Sequence, residues 1–210
     1  MLLIYDTETT GLPDFKKPSN DPCQPHITQI AAILRTEDGV EQERMNVYVK
    51  PDGWVLSEEI TKITGITQEV LETTGIPIAE AVDQFIAMWR KSTLKIAHNE
   101  NFDCRLLRIE MARLFGKVEL LEEWKIFPAY CTMVNSTHVL KLPPTEKMVA
   151  AGFNKPKSPK LEEAYEFFFG EKPYKSHDAM ADVESTVMVY AKLTKPEETI
   201  TNESQASCLR

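Results

Sequence analysis

Leu2, Leu3, Ile4 and Tyr5 are apolar at successive positions, and they run straight into Asp6-Thr7-Glu8-Thr9-Thr10-Gly11. Apolar residues without alternation read as a central strand covered on both faces. Ile27 to Leu34 repeats the pattern. A chain of 210 residues, 42 % of them hydrophobic, can bury both strands in one domain. Met45, Val47 and Val49 alternate with Asn46 and Tyr48 after the turn signal Asp38-Gly39, as in a third, half-exposed strand. After Pro77 the apolar period becomes helical, with Ile78, Val82, Phe85, Ile86 and Trp89 on one face. Further helices are expected over residues 101–115, over Leu161–Phe169 ending at Gly170, and from about Asp178 to Leu193 with Ser176 as N-cap. Leu94–Ala97 and Tyr130–Met133 read as short strands. The proline-rich segments Pro13–His26 and 141–160 read as loops. The expected class is α/β, one mixed sheet with helices on its faces.

Several classes drop out. No apolar run is long enough to span a membrane. Leu2-Leu3-Ile4 is too short for a signal-peptide core and has no basic residues before it. Cys23, Cys104, Cys131 and Cys208 are scattered without a Cys-x-x-Cys pair, which suits a reduced, cytoplasmic chain. Residues 194–210 are polar and aperiodic, so the domain is expected over 1–193 with a disordered tail after it. The net charge of −8 argues against a protein that coats duplex DNA. It does not exclude an enzyme that grips a short nucleic acid through metal ions.

Asp6 and Glu8 are two apart on a strand, so their side chains share one face. In most chains an isolated Asp-x-Glu is a solvated strand end. Two close carboxylates repel unless a cation neutralises them or one takes a proton. A hard divalent ion, Mg²⁺ or Mn²⁺, suits carboxylate oxygens. A glycosidase-type acid/base pair is the competing use. Asp103 follows the stripe of Leu107 and Leu114, and Asp182 that of Thr186, Val189 and Leu193. Both lie on or beside inward helix faces, where a carboxylate is costly unless paired or metal-bound. His177 lies five residues before Asp182, at a loop-to-helix junction.

The strings around these acids carry more than the acids do. Asp6-Thr7-Glu8-Thr9-Thr10-Gly11-Leu12, His98-Asn99-Glu100-Asn101-Phe102-Asp103 and His177-Asp178-Ala179-Met180-Ala181-Asp182-Val183 occur in the order and spacing of the DEDDh, or DnaQ-like, 3′→5′ exonucleases. The sequence resembles the group that contains the epsilon proofreading subunit of DNA polymerase III and ribonuclease T. The resemblance covers residues 2 to about 193. It implies a ribonuclease H-like fold, a five-stranded mixed sheet flanked by helices. It also implies that Asp6, Glu8 and Asp182 hold one divalent ion and that Asp6 and Asp103 hold a second. His177 would be the general base, since histidine titrates near neutral pH. Two Mg²⁺, with Mn²⁺ able to substitute, would clamp the scissile phosphate. The product would be a nucleoside 5′-monophosphate released from a 3′ end.

Thr7, Thr9 and Leu12 would lie beside the terminal nucleotide, with Leu12 either wedged between bases or packed on the core. Asn99 and Phe102 would contact the strand end or shape the site. Relatives often carry His before Gly-Ile-Thr, where this chain has Thr64, so base preference does not carry over. The expected partner is a single-stranded 3′ end, DNA ahead of RNA, with RNA trimming as the alternative. A polymerase or a second copy of the chain are further partner candidates. Residues 141–160 hold Lys141, Lys147, Lys155, Lys157 and Lys160 against one acid, Glu146, either a solvated basic loop or a resting place for phosphates.

Overall fold

The computed structural model describes residues 1–174 and 177–194. Five strands, β1 (Leu2–Thr9), β2 (Ile27–Arg35), β3 (Glu41–Tyr48), β4 (Leu94–Ala97) and β5 (Ala129–Cys131), form one sheet in the order β3-β2-β1-β4-β5. β1 pairs antiparallel with β2 and parallel with β4, and β4 pairs parallel with β5. The sheet is therefore mixed, with β1 at its centre, as in ribonuclease H-like folds.

Every residue of β2 from Ile27 to Leu34 is buried. One face of the sheet, with Leu3, Tyr5, Ile30 and Leu34, packs on α3 (Ile78–Trp89), α4 (Glu100–Phe115) and α5 (Val118–Ile126). Tyr5, Phe85, Trp89 and Trp124 meet edge-on there, with ring centroids 5.0–5.6 Å apart. Each such pair contributes about 0.5–1.5 kcal/mol beyond area burial. The other face, with Leu2, Ile4, Ala31 and Ile33, packs on α9 (Ala179–Thr194). A third, smaller cluster of Leu56, Ile66 and Leu71 holds α1 (Glu58–Thr64) and α2 (Gln68–Thr74) at the rim.

The structure adds helices where the sequence pattern read loop or strand. α1 and α2 lie where no element was expected. The expected strand Tyr130–Met133 stops at Cys131, and α6 (Thr132–Leu140) begins at once. α6 is rich in β-branched residues, but Asn135 Nδ2 donates to Cys131 O and Thr137 Oγ to Met133 O, tying side chains into its backbone. The expected loop 141–160 contains a short helix, α7 (Glu146–Ala150). α8 (Leu161–Phe169) ends at Gly170 as expected, in the left-handed conformation that glycine favours. α9 runs through Thr194, and the proposed tail beyond it lies outside the described residues, as does Ser176. The cap of α9 comes from Asp178, whose Oδ1 accepts the Ala181 N–H at 3.1 Å.

The proline-rich segment before β2 is a packed excursion. Gln24, 3 % exposed, accepts from Asp14 N–H and donates to the carbonyls of Asp14 and Pro18. Arg105 of α4 donates to Ser19 Oγ at 2.8 Å. The segment is thereby fastened to the helix that carries Asp103.

Candidate active site

Alternation along β1 sends its acids and its threonines to opposite layers. Asp6 and Glu8 continue the face of Leu2 and Ile4, which α9 covers. Asp182 joins them from the first turn of α9. Thr7 points into the α4 layer, where Asp103 is 2 % exposed. Asp103 Oδ1 accepts both the Thr7 N–H, at 3.0 Å, and the Thr7 Oγ–H, at 2.7 Å. Two charge-assisted hydrogen bonds answer much of the cost of burying that carboxylate. The two groups meet at the end of β1. There β1 outruns β4, which pairs only with Leu2–Ile4. A crevice beyond the carboxyl ends of parallel strands is the usual ligand site of such sheets.

Two residues with positive φ set the entry to these helices. Asn99, at φ 66°, turns the chain from β4 into α4 and so puts Asp103 in the first turn. Asparagine tolerates that conformation better than most residues. His177 has φ 64°, and its N–H donates to Asp182 Oδ2 at 3.1 Å. Glu8, His177 and Asp182 each bring a ligand-type atom within 4.8 Å of the other two.

The electrostatics are one-sided. Burial, then the charges of Asp103, Asp182 and Glu8, hold the Asp6 carboxyl well above its usual range. Burial and the charge of Asp182 push Glu8 up to about 8. Burial raises Asp103 to about 7 against the pull of the Thr7 hydrogen bonds, and burial raises Asp182 to about 6. Among the described residues no Lys or Arg charge offsets these four acids. Oxygen donors crowded together without a counter-charge fit a hard divalent cation.

Comparison with known proteins places the chain. A family model described as an exonuclease, of the ribonuclease T type, matches residues 3–190. The chain belongs to this exonuclease family. The DEDDh group and the 3′→5′ exonuclease class, which the sequence motifs implied, are those of this family. A PolC-type DNA polymerase III of Thermotoga petrophila is 28 % identical over 193 residues, 92 % of this chain and 12 % of the polymerase. The epsilon subunit of DNA polymerase III of Treponema pallidum is 32 % identical over 51 % of this chain and 45 % of its own length. Escherichia coli exonuclease I in complex with a dA16 oligonucleotide superposes with a TM-score of 0.66 at 22 % identity, over 92 % of this chain and 40 % of that one. A zinc-bound form of its single-stranded DNA complex gives 0.68 at 23 %, over 93 % and 41 %. The exonuclease domain is thus a small part of its PolC-type relatives and less than half of exonuclease I.

A cleft of about 680 Å³ opens over the acids of the exonuclease domain. Leu12, 85 % exposed, stands at its lip, so it does not pack on the core. Asn99 is exposed on the rim and its side chain makes no cap hydrogen bond. Phe102 is half-buried against the α4 layer and also lines the cleft. Thr7 and Thr9 also line the cleft, with their hydroxyls turned to protein groups. Both donors of Thr7 are spent on Asp103, and Thr9 Oγ donates to Gly11 O and accepts from Gly11 N–H. Another wall, with Ile60 and Ile63 of α1, was missed by sequence reasoning; Thr64 beside them, named there as a departure from the relatives, lines it too. Ser57, which accepts from Ile60 N–H, and the left-handed Gly65 are the start and stop signals that mark this helix.

The raised carboxyl values have a measurable consequence. A carboxyl whose pKa is higher folded than unfolded adds stability below the unfolded value, about 4. That stability is lost as pH rises through the folded values of about 6 for Asp182, 7 for Asp103 and 8 for Glu8. The melting temperature in EDTA is therefore expected to fall between pH 5 and pH 8. Added Mg²⁺ or Mn²⁺ should raise it more at pH 8 than at pH 5. Thermal unfolding followed by circular dichroism checks this, and a flat profile that ignores divalent ions would contradict the cation-site assignment.

Proposed function

We propose that this domain is a divalent-metal-dependent 3′→5′ exonuclease that removes nucleoside 5′-monophosphates from single-stranded DNA. The observation that carries the reading is the set of Asp6, Glu8, Asp103 and Asp182, uncompensated by any basic side chain among the described residues, under an open cleft with His177 on its rim. Asp6, Glu8 and Asp182 would hold one Mg²⁺, and Asp6 with Asp103 a second; Mn²⁺ would serve in its place. Bound ions would neutralise the scissile phosphate, lower the pKa of the attacking water and stabilise the leaving 3′-oxygen.

The chain's own groups do the rest. His177 is exposed at the cleft, where its ring would take the proton of the attacking water. Its backbone hydrogen bond to Asp182 keeps the imidazole next to the acids. The Thr7 hydrogen bonds stop Asp103 from turning away when the site fills. Leu12 and Phe102 offer apolar surface to the terminal base, and Asn99 an amide to the strand end. One observation favours a variation: the close grouping of His177 with Glu8 and Asp182 would also let the imidazole act as a ligand.

DNA is placed ahead of RNA because the polymerase relatives and the oligonucleotide-bound exonuclease I are DNA proteins by name. RNA trimming remains the alternative, since no contact assigned here reads a 2′-hydroxyl. The same relatives support, as part of this proposal, a polymerase partner and a cytoplasmic setting. Among the described residues no helix is long and apolar enough to cross a membrane. Labelled DNA and RNA strands, with free or blocked 3′ ends and with or without Mg²⁺, test the reading. Stepwise shortening of free-ended DNA in Mg²⁺ alone is expected. Cleavage of a blocked strand, or cleavage that survives EDTA, would overturn it, and a preference for RNA would move it to the alternative.

A further inference from the structure

The segment 141–160 leaves α6 and returns to the cleft as a closed excursion. Lys157 N–H donates to Leu142 O at 3.1 Å, which brings its two ends together. Its return is moored to the second motif. His98 Nε2 lies 3.0 Å from Pro159 O, and His98 Nδ1 lies 3.0 Å from Thr132 Oγ. A carbonyl only accepts, so Nε2 carries the proton and the ring is held in one tautomer. Leu161, two residues after Pro159, lines the cleft itself.

The outer surface of this excursion is basic and partly apolar. Lys157 and Lys160 are engaged by Glu163 and Glu162 of α8. Lys141, Lys147 and Lys155 are exposed, and among the described residues no acid pairs with them. Between them Phe153 is 64 % exposed and Val149 51 %. Phe153 is not loosely hung: its N–H donates to Met148 O at 2.8 Å, closing the turn at Gly152. Unpaired lysines beside an exposed ring have the chemistry of a single-strand track, in which cations follow phosphates and an aromatic face stacks a base.

We infer that this excursion binds the single-stranded nucleic acid upstream of the 3′ end held in the cleft, with Lys141, Lys147 and Lys155 on phosphates and Phe153 stacked on a base. The inference rests on the proposed nuclease reading. Net charge complementarity and continuity with the cleft single out a nucleic-acid strand as the occupant. An acidic peptide would match the lysines but would have no base for Phe153 to stack on.

The test uses the full chain with a 5′-labelled thymidylate twenty-mer and a trimer. Binding is read by anisotropy with Ca²⁺ in place of Mg²⁺, and turnover of the trimer is read in Mg²⁺. Replacing Lys141, Lys147 and Lys155 together by Ala should flatten the slope of log affinity against log salt by about 2. Phe153→Ala should weaken the twenty-mer about tenfold, the size of one lost stack. Trimer turnover should stay at the wild-type rate in both. Wild-type affinity for the twenty-mer in both variants overturns the track, and so does a parallel loss on trimer and twenty-mer. A wild-type chain that hydrolyses neither strand, yet loses twenty-mer affinity in the variants, sinks the nuclease reading and leaves the track standing.

Discussion

Asp6→Asn is expected to abolish cleavage and at the same time to stabilise the metal-free protein. The two effects share one cause. Asp6 is pressed by Asp103, Asp182 and Glu8, more of the site's acids than act on any of its neighbours. Asparagine keeps the shape and removes the charge. Without ions the remaining acids repel less, so the melting temperature in EDTA should rise at pH 8. With ions the shared ligand is gone, and the loss in turnover should be about a thousandfold or more, roughly 4 kcal/mol of barrier. Calorimetric titration with Mn²⁺, thermal unfolding and release of mononucleotide measure the three quantities. A variant that digests single-stranded DNA at the wild-type rate would remove Asp6 from the site. A variant that is inactive and also less stable without metal would point to damage of the fold instead.

His177→Ala is expected to lower turnover by about a hundred- to ten-thousandfold, the usual contribution of a positioned general base, with Mn²⁺ affinity nearly unchanged. The split between turnover and metal affinity is the informative part. If Mn²⁺ affinity falls in step with turnover, the imidazole is a ligand and the grouping with Glu8 and Asp182 is its coordination. His177 has φ 64°, where alanine is strained, so His177→Asn is the companion variant. Asparagine accepts that backbone and lacks the basic ring. Equal losses in the two variants assign the effect to the imidazole, and recovery in Asn alone assigns it to the backbone.

The four acids and the histidine were legible before any coordinates because each sits inside a string of chemically constrained neighbours. Strand β1 and helix α4 were legible for a different reason: β1 opens on an unbroken apolar run buried on both faces, and the apolar residues of α4 recur at the helical period and are buried. The helices that escaped lack that signal. α1 buries none of its residues, and α5 buries only Trp124. Val118 and Ile126 of α5 are 65 % and 77 % exposed, so the apolar pattern there pointed to no single face. The part of Thr7 was hidden for a third reason. Its two bonds to Asp103 join residues 96 apart in sequence, and no local spacing announces them.

The separate apolar cluster under α1 and α2 seats that part of the cleft on a core of its own. The acids are fixed by the sheet and its two large cores, while Ile60, Ile63 and Thr64 ride on Leu56, Ile66 and Leu71. A small cluster opens locally at lower free energy than a large one. The wall with Ile60 and Ile63 is therefore expected to yield before the acids move, which under the proposed function would give a mononucleotide a way out.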